Sequence, residues 1–296
     1  MTHFKSKTLA IRKTIALVAA VAGLSTTVMA VAAAPALAEG GAHHLKEPGF
    51  SFEGPFGTFD QGQLQRGYKV YREVCAACHS MNLLHFRDLG IPGGPFYDEH
   101  AENPAANRFV KAIAAEAQVA SIDTETGESM MRPGIAADKF PSPYPNATAA
   151  AAANGGAAPP DLSVMAKARH GGANYIYSLL TGYDAPPPYL KMTSTQHYNA
   201  YMAGDLTPFV PKDAHVPPGG FIAMPKPLAD GQVTYDDGTV ASEDQMAKDV
   251  SAFIAWASEP HAVERKQAGF GVLAFLLLFT GITYVSYRRI WKGVAH

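Results

Sequence analysis

Cysteine is scarce in this sequence of 296 residues, which contains only Cys75 and Cys78. Two cysteines exclude a scaffold held together by several disulfides, and they exclude a metal site built from four thiolates of one chain. Charged residues are also few, at 17%, whereas hydrophobic residues reach 47%, so a disordered chain is excluded. The length is sufficient for one large domain or two modest ones.

Acidic residues are absent from the first 38 positions, which carry four basic residues before an uncharged run at 14–38. The run ends in an Ala-Leu-Ala tripeptide, a small-residue pattern typical of a signal-peptide cleavage site. Residues 1–38 are therefore predicted to be a cleaved secretory signal peptide. The alternative is an uncleaved membrane anchor, which the high alanine content of the run disfavours.

A second uncharged run lies at 268–287, and its 20 residues would span roughly 30 Å as a helix. A buried core helix is the alternative, but core helices are rarely uncharged on every face over this length. We therefore predict one C-terminal transmembrane helix, with residues 264–296 forming the anchor and a short tail. Basic residues flank the run on both sides, and an exported body would leave the tail in the cytoplasm.

The body between these runs, residues 39–263, holds 15 basic and 25 acidic residues, a net charge of about −10. This balance argues against a nucleic acid partner and favours a basic protein. Apolar spacings of three and four residues predict helices at 61–75, 107–118, 172–181 and 242–256. Alternation of apolar and polar residues, which would indicate strands, is scarce. Proline and glycine predict long loops at 133–160 and 186–227. Within the first loop, the alanine-rich segment 147–153 fits either a helix or a variable insertion. The predicted fold is mainly α with long loop insertions.

The most specific motif is Cys75-Ala76-Ala77-Cys78-His79, because C-x-x-C-H is the signature of covalent attachment of a c-type haem. At a helix end the two thiols lie on one side, where each can form a thioether with a haem vinyl group, while His79 lies beneath the iron. Export supports this interpretation, since such attachment takes place outside the cytoplasm. A redox-active C-x-x-C would need a thioredoxin-like context, which is missing. A zinc site would need a second ligand pair, which no other cysteine provides. A chance match to the motif is the remaining alternative.

A second axial ligand would decide whether the iron carries electrons or binds small molecules. Met224 is the leading candidate, because prolines on both sides stiffen its loop and Pro225 favours an extended backbone at Met224. The alternative is that Met224 fills the core, as methionines commonly do. The other candidate ligands are Met165, Met192, Met202, His170, His197 and His215. A second histidine would give a lower potential than a methionine.

Four segments of the chain share motifs with one known family. They are GPFGTFDQGQLQRGYKVYREVCAACHSM at 54–81, APPDLSVMAKARHGGANYIYSLLTGY at 158–183, PPGGFIAMPKPL at 217–228 and MAKDVSAFIAWASEPHAVERKQAGF at 246–270. Together they closely resemble the cytochrome c1 family, the membrane-anchored haem subunits of the cytochrome bc1 complex, in its bacterial periplasmic form. The resemblance covers most of residues 50–292.

This resemblance implies one haem c, bound through thioethers at Cys75 and Cys78, with His79 as the proximal and Met224 as the distal ligand of the iron. It places Arg169 near the haem propionates, where a guanidinium suits a pair of carboxylates. The residues that it places beside the haem edge are Asn154, Pro160 and Tyr175.

Three further points follow from the comparison with the family pattern. His170 would not be a ligand. Some bacterial relatives carry an additional cysteine pair that braces the loops before the ligating methionine, and this chain has none, so packing or proline must hold Met224. Residues 123–153 match no shared pattern, and no function is assigned to them.

The resemblance also implies a function and a location. The chain would carry single electrons from the Rieske iron–sulfur protein to soluble cytochrome c, beside cytochrome b, without substrate chemistry of its own. The alternatives are a stand-alone anchored cytochrome that donates to a terminal oxidase or reaction centre, and a haem enzyme such as a peroxidase with an open iron site. The implied location is the cell inner membrane, with one span in the lipid, the haem domain at 39–263 in the periplasm and the tail in the cytoplasm.

Overall fold

The computed structural model describes residues 44–293. Over this range the chain forms six α-helices and two small sheets. The helices are α1 (Gln61–Glu73), α2 (Arg108–Glu116), α3 (Ala147–Ala153), α4 (Gly172–Leu180), α5 (Glu243–Ser258) and α6 (Ala262–Ile290). The prediction of a mainly α fold with one long apolar C-terminal helix is confirmed. The predicted signal peptide at 1–38 lies outside the described residues and stays a prediction.

The four helices predicted from apolar spacing are all present, and each boundary lies within two residues of its predicted position. Polar side chains begin three of them by accepting hydrogen bonds from first-turn N–H groups. Asp60 Oδ1 accepts from Gln63 N at 2.6 Å to begin α1. Asn107 caps α2 and Ser242 caps α5 in the same way. These caps satisfy donors that have no partner inside the helix, which fixes where each helix begins.

Each of the two predicted long loops contains short regular elements. Residues 133–160 contain α3, which Asn146 caps, so the alanine-rich run is a helix. Residues 186–227 contain β3 (His197–Asn199) and β4 (Gly220–Ile222), which pair antiparallel with His197 opposite Ile222. A second antiparallel hairpin joins β1 (Gln118–Ile122) to β2 (Ser129–Pro133), and the sequence pattern did not predict it.

The core forms where α1 crosses α5, and a glycine sets the distance between them. A Cβ atom on Gly67 would lie 2.1 Å from Asp249 O and 2.7 Å from Phe253 Cβ, so only glycine allows this approach. The rings of Tyr68 and Tyr71 both pack on that of Phe253, with centroids 5.6 and 5.8 Å from it. Because the C-x-x-C-H motif follows α1 directly, this crossing fixes the motif relative to the core.

Charged groups reinforce the same crossing. The Asp249 carboxylate is fully buried, and it accepts from Arg66 Nε at 2.9 Å and from Gln245 Nε2 at 2.9 Å. Burial opposes the charge on Arg66, but hydrogen bonds to Asp249 and Asp237 outweigh burial and raise the pKa of Arg66. A buried carboxylate without such partners would be costly, so the pair helps to specify how α1 and α5 pack.

Replacing Gly67 by alanine is expected to lower the free energy of unfolding by about 1–3 kcal/mol, the usual cost of overpacking a core. The added methyl group would meet backbone rather than a flexible side chain, so the helices must separate. Gly62→Ala on the same helix is the matched control, since its Cβ would meet nothing closer than 3.5 Å. We expect Gly62→Ala to be neutral or stabilising. Guanidinium unfolding followed by circular dichroism measures both, and equal effects would contradict this account of the crossing.

Helix α6 differs from the others because solvent-exposed apolar side chains cover all of its faces. Its most apolar 18-residue window has a mean hydropathy of 2.0, and none of that window is buried. Within residues 44–293 it is the one helix long and apolar enough to cross a membrane. This length and composition fit the predicted single-pass anchor.

Candidate haem site

The C-x-x-C-H motif lies at the C-terminal end of α1, where the chain tightens into one turn of 3₁₀-helix at Cys75–Ala77. Cys75 O accepts hydrogen bonds from Cys78 N at 3.1 Å and from His79 N at 2.8 Å. The turn therefore brings both cysteines and His79 together. Both thiols are free and half-buried. Burial, with a smaller contribution from Cys78, raises the pKa of the Cys75 thiol to about 12, so this thiol is protonated at neutral pH.

His79 is held in one orientation by a backbone carbonyl. Its Nδ1 lies 2.8 Å from Pro160 O, and because a carbonyl only accepts, Nδ1 carries the proton. Burial lowers the pKa of His79, although the Pro160 carbonyl and the Asp161 carboxylate act in the opposite direction. The imidazole is therefore neutral near pH 7, with a free lone pair on Nε2. This is the tautomer that an iron ligand requires.

Asp161 fastens the Pro160 carbonyl to the segment that follows the motif. Asp161 Oδ2 accepts from Ser80 Oγ at 2.7 Å and from Asn82 N at 2.8 Å. Asp161 Oδ1 accepts from Ser163 N at 2.8 Å. Burial alone would raise the pKa of Asp161, but the hydrogen bonds from Asn82, Ser163 and Ser80 outweigh burial and lower that pKa. The carboxylate is charged at neutral pH and positions the acceptor of His79.

Replacing Asp161 by asparagine is expected to lower the free energy of unfolding by about 1.5–3 kcal/mol at pH 7, since hydrogen bonds to a charged group are lost. The folded pKa of Asp161 lies below the ordinary value of 3.8, so its stabilisation is complete above that pH. This stabilisation is lost as the pH falls through the folded pKa. The difference in the free energy of unfolding between the unchanged protein and the Asp161→Asn protein should therefore become smaller in acid. Chemical unfolding at pH 7 and below pH 3.8 measures this.

The matched control for that experiment is Asp213→Asn. Asp213 is an exposed carboxylate in a turn that is far from the motif in sequence. We expect its free energy of unfolding to stay close to that of the unchanged protein at both pH values. An Asp161→Asn protein as stable as this control would show that Asp161 does not fasten the loop to the motif.

Met224 follows β4 and packs, half-buried, against the same core cluster as Cys75. Tyr183 OH donates to Met224 O at 3.0 Å, and burial raises the pKa of Tyr183, so its hydroxyl remains a donor. Farther back in the loop, Tyr198 OH donates to Pro218 O at 2.7 Å. Gly219 has φ +92, and a Cβ there would lie 2.3 Å from the carbonyl oxygen of the facing strand β3. Tyrosines and the short sheet thus hold the loop without a disulfide.

The remaining predicted residues differ in how they relate to the motif. Tyr175, on α4, packs against the same core cluster, and its hydroxyl lies 4.0 Å from Met202 Sδ. Asn154 ends α3, where its Nδ2 donates to Ala150 O at 2.8 Å. Arg169 is exposed and donates to the neighbouring Ala168 O at 3.0 Å. The structure therefore places Tyr175 against the same core cluster as Cys75, whereas Asn154 and Arg169 form hydrogen bonds within their own segments.

The alternative axial ligands occupy varied places. Met165 is half-buried against the main core cluster, as Met224 is. Met192 packs instead in a second, smaller cluster that includes Leu190 and Tyr198. Both His170 and His215 are exposed, and His197 lies on β3. Among these, Met165 shares the most features with Met224.

These donor groups fit a covalently attached haem. Two protonatable thiols share one turn with a neutral imidazole whose Nε2 is free, and thioethers pack against the same core. This fold and this set of donors define a c-type cytochrome domain that continues into a single apolar helix.

Comparison with known proteins specifies the family. The Cytochrome C1 family profile matches residues 50–294, and the chain belongs to that family. The chain is 40% identical over 289 residues to cytochrome c1 of Rhodospirillum rubrum, covering 90% of this chain and 97% of that protein. It is 41% identical over 294 residues to cytochrome c1 of Cereibacter sphaeroides, covering 91% and 94%. The resemblance inferred from the four segments is confirmed, and membership of this family implies covalently bound haem c.

A further relative is longer than this chain. It is a protein of Bradyrhizobium diazoefficiens named cytochrome b/c1, which is 43% identical over 254 residues. The match covers 83% of this chain but 36% of that protein, so the chain spans about a third of its length.

Proposed function

We propose that this chain is the membrane-anchored haem subunit of a bc1 complex, which passes single electrons from a Rieske iron–sulfur protein to a soluble cytochrome c. Family membership supports the coarser statement, a haem electron-transfer subunit of such a complex. The observation that carries the proposal is the hydrogen bond of 2.8 Å between His79 Nδ1 and Pro160 O beside the C-x-x-C-H turn. It leaves Nε2 of a neutral imidazole available as a permanent axial ligand.

Each residue of the site has one task in this proposal. Cys75 and Cys78 would hold the haem through thioethers, and His79 Nε2 and Met224 Sδ would be the ligands of its iron. Bound haem supplies the one-electron chemistry. Histidine with methionine gives a higher potential than two histidines, which suits acceptance of electrons from an iron–sulfur protein. The hydrogen bonds of Asp161 and Tyr183 would hold both ligand residues in place. Neither residue would then have to move when the oxidation state of the iron changes.

Four other residues are proposed to contact the haem periphery. Asn154, Pro160 and Tyr175 would lie beside its edge, and the Pro160 carbonyl also accepts from His79 Nδ1. Arg169 is exposed and bonds only locally through Nη1, so its guanidinium can turn toward the propionates. A planar guanidinium forms paired hydrogen bonds with carboxylates.

The location and partners belong to the same proposal. Residues 1–38 would direct export, the body at 39–263 would lie in the periplasm, and α6 would cross the inner membrane with its tail in the cytoplasm. Cytochrome b is the proposed neighbour in the membrane, and the longer relative named cytochrome b/c1 supports this pairing. No catalytic step on a substrate is assigned to this chain itself.

Purification of the chain under mild solubilisation tests the proposal. We expect haem to stay on the polypeptide in a denaturing gel and a b-type haem to copurify with it. A Cys75→Ser/Cys78→Ser protein is the control, and it should lose the haem stain. A c-type haem without any b-type partner would favour the stand-alone carrier. Tight carbon monoxide binding by the native reduced protein would favour an open-site haem enzyme.

Replacing Tyr183 by phenylalanine is expected to let external ligands displace Met224 more readily. Loss of one hydrogen bond of about 1 kcal/mol should raise the apparent affinity of the oxidised protein for imidazole roughly fivefold. Tyr189→Phe is the matched control, because Tyr189 OH also donates to a carbonyl, His215 O at 2.9 Å, on an exposed loop. Spectroscopic titration with imidazole measures both proteins, and identical affinities would remove Tyr183 from the support of Met224.

A further inference from the structure

The loop at 51–57 presents an exposed aromatic ring next to the start of α6. Phe56 is 80% exposed, the largest exposure of any phenylalanine, tyrosine or tryptophan among residues 44–293. Its ring stacks on that of Phe270, with centroids 5.0 Å apart and planes inclined by 4°. Phe270 is itself 42% exposed, so the two rings form one apolar surface, which we name the Phe56–Phe270 pair. Exposed apolar surface of this kind marks a contact site.

The loop is fixed to α6 and cannot move independently of it. Lys266 Nζ, one turn before Phe270, donates to Phe52 O at 2.6 Å and to Gly57 O at 3.2 Å. Phe52 stacks in turn on the buried Phe50, with centroids 5.0 Å apart. The base of the loop thus belongs to the core, while its tip carries Phe56 outward along the helix.

The distribution of charged residues along α6 shows where the Phe56–Phe270 pair lies relative to the apolar part of that helix. Lys266 is the last charged residue before the uncharged run at 268–287, and Phe270 is the third residue of that run. The pair therefore lies where the polar surface ends and the apolar helix begins. In a spanning helix this level corresponds to the boundary between lipid headgroups and acyl chains, where aromatic rings are favoured.

We propose that the Phe56–Phe270 pair inserts into the headgroup boundary of the lipid bilayer on the side of the haem domain. This contact rests on the proposed membrane anchoring by α6 and adds a second point of attachment to it. One helix alone would let the domain swivel and tilt. A second contact, fastened to the core through Phe52 and Lys266, sets the domain at a defined orientation above the membrane. The occupant of this surface is lipid, because the surface is continuous with the apolar faces of α6.

Spin labels in the haem-loaded full chain, reconstituted into phosphatidylcholine nanodiscs, test this. Haem attachment uses both native thiols, so an introduced cysteine is the only free one. The reporter is Pro55→Cys, an exposed position that leaves Phe56 in place. Its accessibility to oxygen, which enters lipid, is compared with that to a water-soluble nickel chelate. We expect the ratio to be several-fold higher than at Val240→Cys, and to fall to the Val240 value when Phe56→Ser is added.

The controls separate this inference from the proposed anchoring. Val240 is also 80% exposed, but it precedes α5, whose 16 residues place it roughly 24 Å from the start of α6. Leu277→Cys reports the middle of the apolar run. A high ratio at Leu277 with a Val240-like ratio at Pro55 would overturn the lipid contact alone. Val240-like ratios at both positions would overturn the anchoring too. A Pro55 label shielded from both reagents would show that protein, such as a second copy of this chain, covers the position, which also overturns the lipid contact.

Discussion

The midpoint potential of the haem is expected to fall by a few tenths of a volt when Met224 is replaced by leucine. Axial ligands control haem potentials over about 0.8 V, and a thioether raises the potential by favouring the ferrous state. The reduced variant should also bind carbon monoxide, because leucine leaves one face of the iron open. Covalent attachment should be unaffected, since Cys75 and Cys78 form the thioethers. Redox titration and carbon monoxide difference spectra measure these effects.

Met165→Leu is the control for that experiment. Met165 is half-buried against the same core cluster, and it is the alternative ligand most like Met224 in its surroundings. Its replacement should leave the potential and the spectrum unchanged. If Met165→Leu opened the iron and Met224→Leu did not, the assignment of the distal ligand would be reversed.

Electron transfer from the reduced chain to a basic soluble cytochrome c is expected to slow at least about tenfold between 0.01 and 0.3 M salt. Residues 39–263 carry a net charge of about −10, which attracts a basic partner over long distances at low salt. The screening length shortens from about 30 Å at 0.01 M to about 8 Å at 0.15 M, so that attraction is largely lost. Stopped-flow spectroscopy at several salt concentrations measures the rate.

Ferricyanide provides the comparison for the salt experiment. It is a small anion, so an acidic surface repels it, and its reduction by the chain should become faster as salt is added. Opposite salt trends for the two acceptors would assign the effect to surface charge. A rate with cytochrome c that does not change with salt would contradict electrostatic docking.

Helix positions could be predicted because their signals are local. Ser242 caps α5, and apolar side chains recur after it at helical spacing. Residues close together in sequence therefore determine both where the helix starts and which face is buried. The β1–β2 hairpin carries no such signal, because both of its strands are largely exposed and apolar residues do not alternate with polar ones in either sequence. A turn holds it instead, in which Asp123 Oδ1 accepts from Glu125 N at 2.8 Å and Gly127 has φ +76.

In the haem site, too, features set by neighbouring residues could be predicted, whereas contacts between distant residues could not. The C-x-x-C-H motif is contiguous, and the prolines beside Met224 are adjacent in sequence, so both could be found from the sequence. The acceptor of His79 could not, because it is a backbone carbonyl 81 residues away and leaves no mark on the side-chain pattern. Tyr183 likewise reaches Met224 O across 41 residues. An acidic residue followed two positions later by serine, as at Asp161, hints at a turn but not at its distant partners.

The transit of one electron through the chain is the most direct test of the proposed function. The purified complex is mixed first with quinol and then with oxidised soluble cytochrome c, while the b-type and c-type haem bands are followed together. We expect quinol to reduce the c-type haem of this chain and cytochrome c to reoxidise it within the same turnover. A c-type haem that stays oxidised while quinol reduces the b-type haem, or that is not reoxidised by cytochrome c, would contradict the proposal.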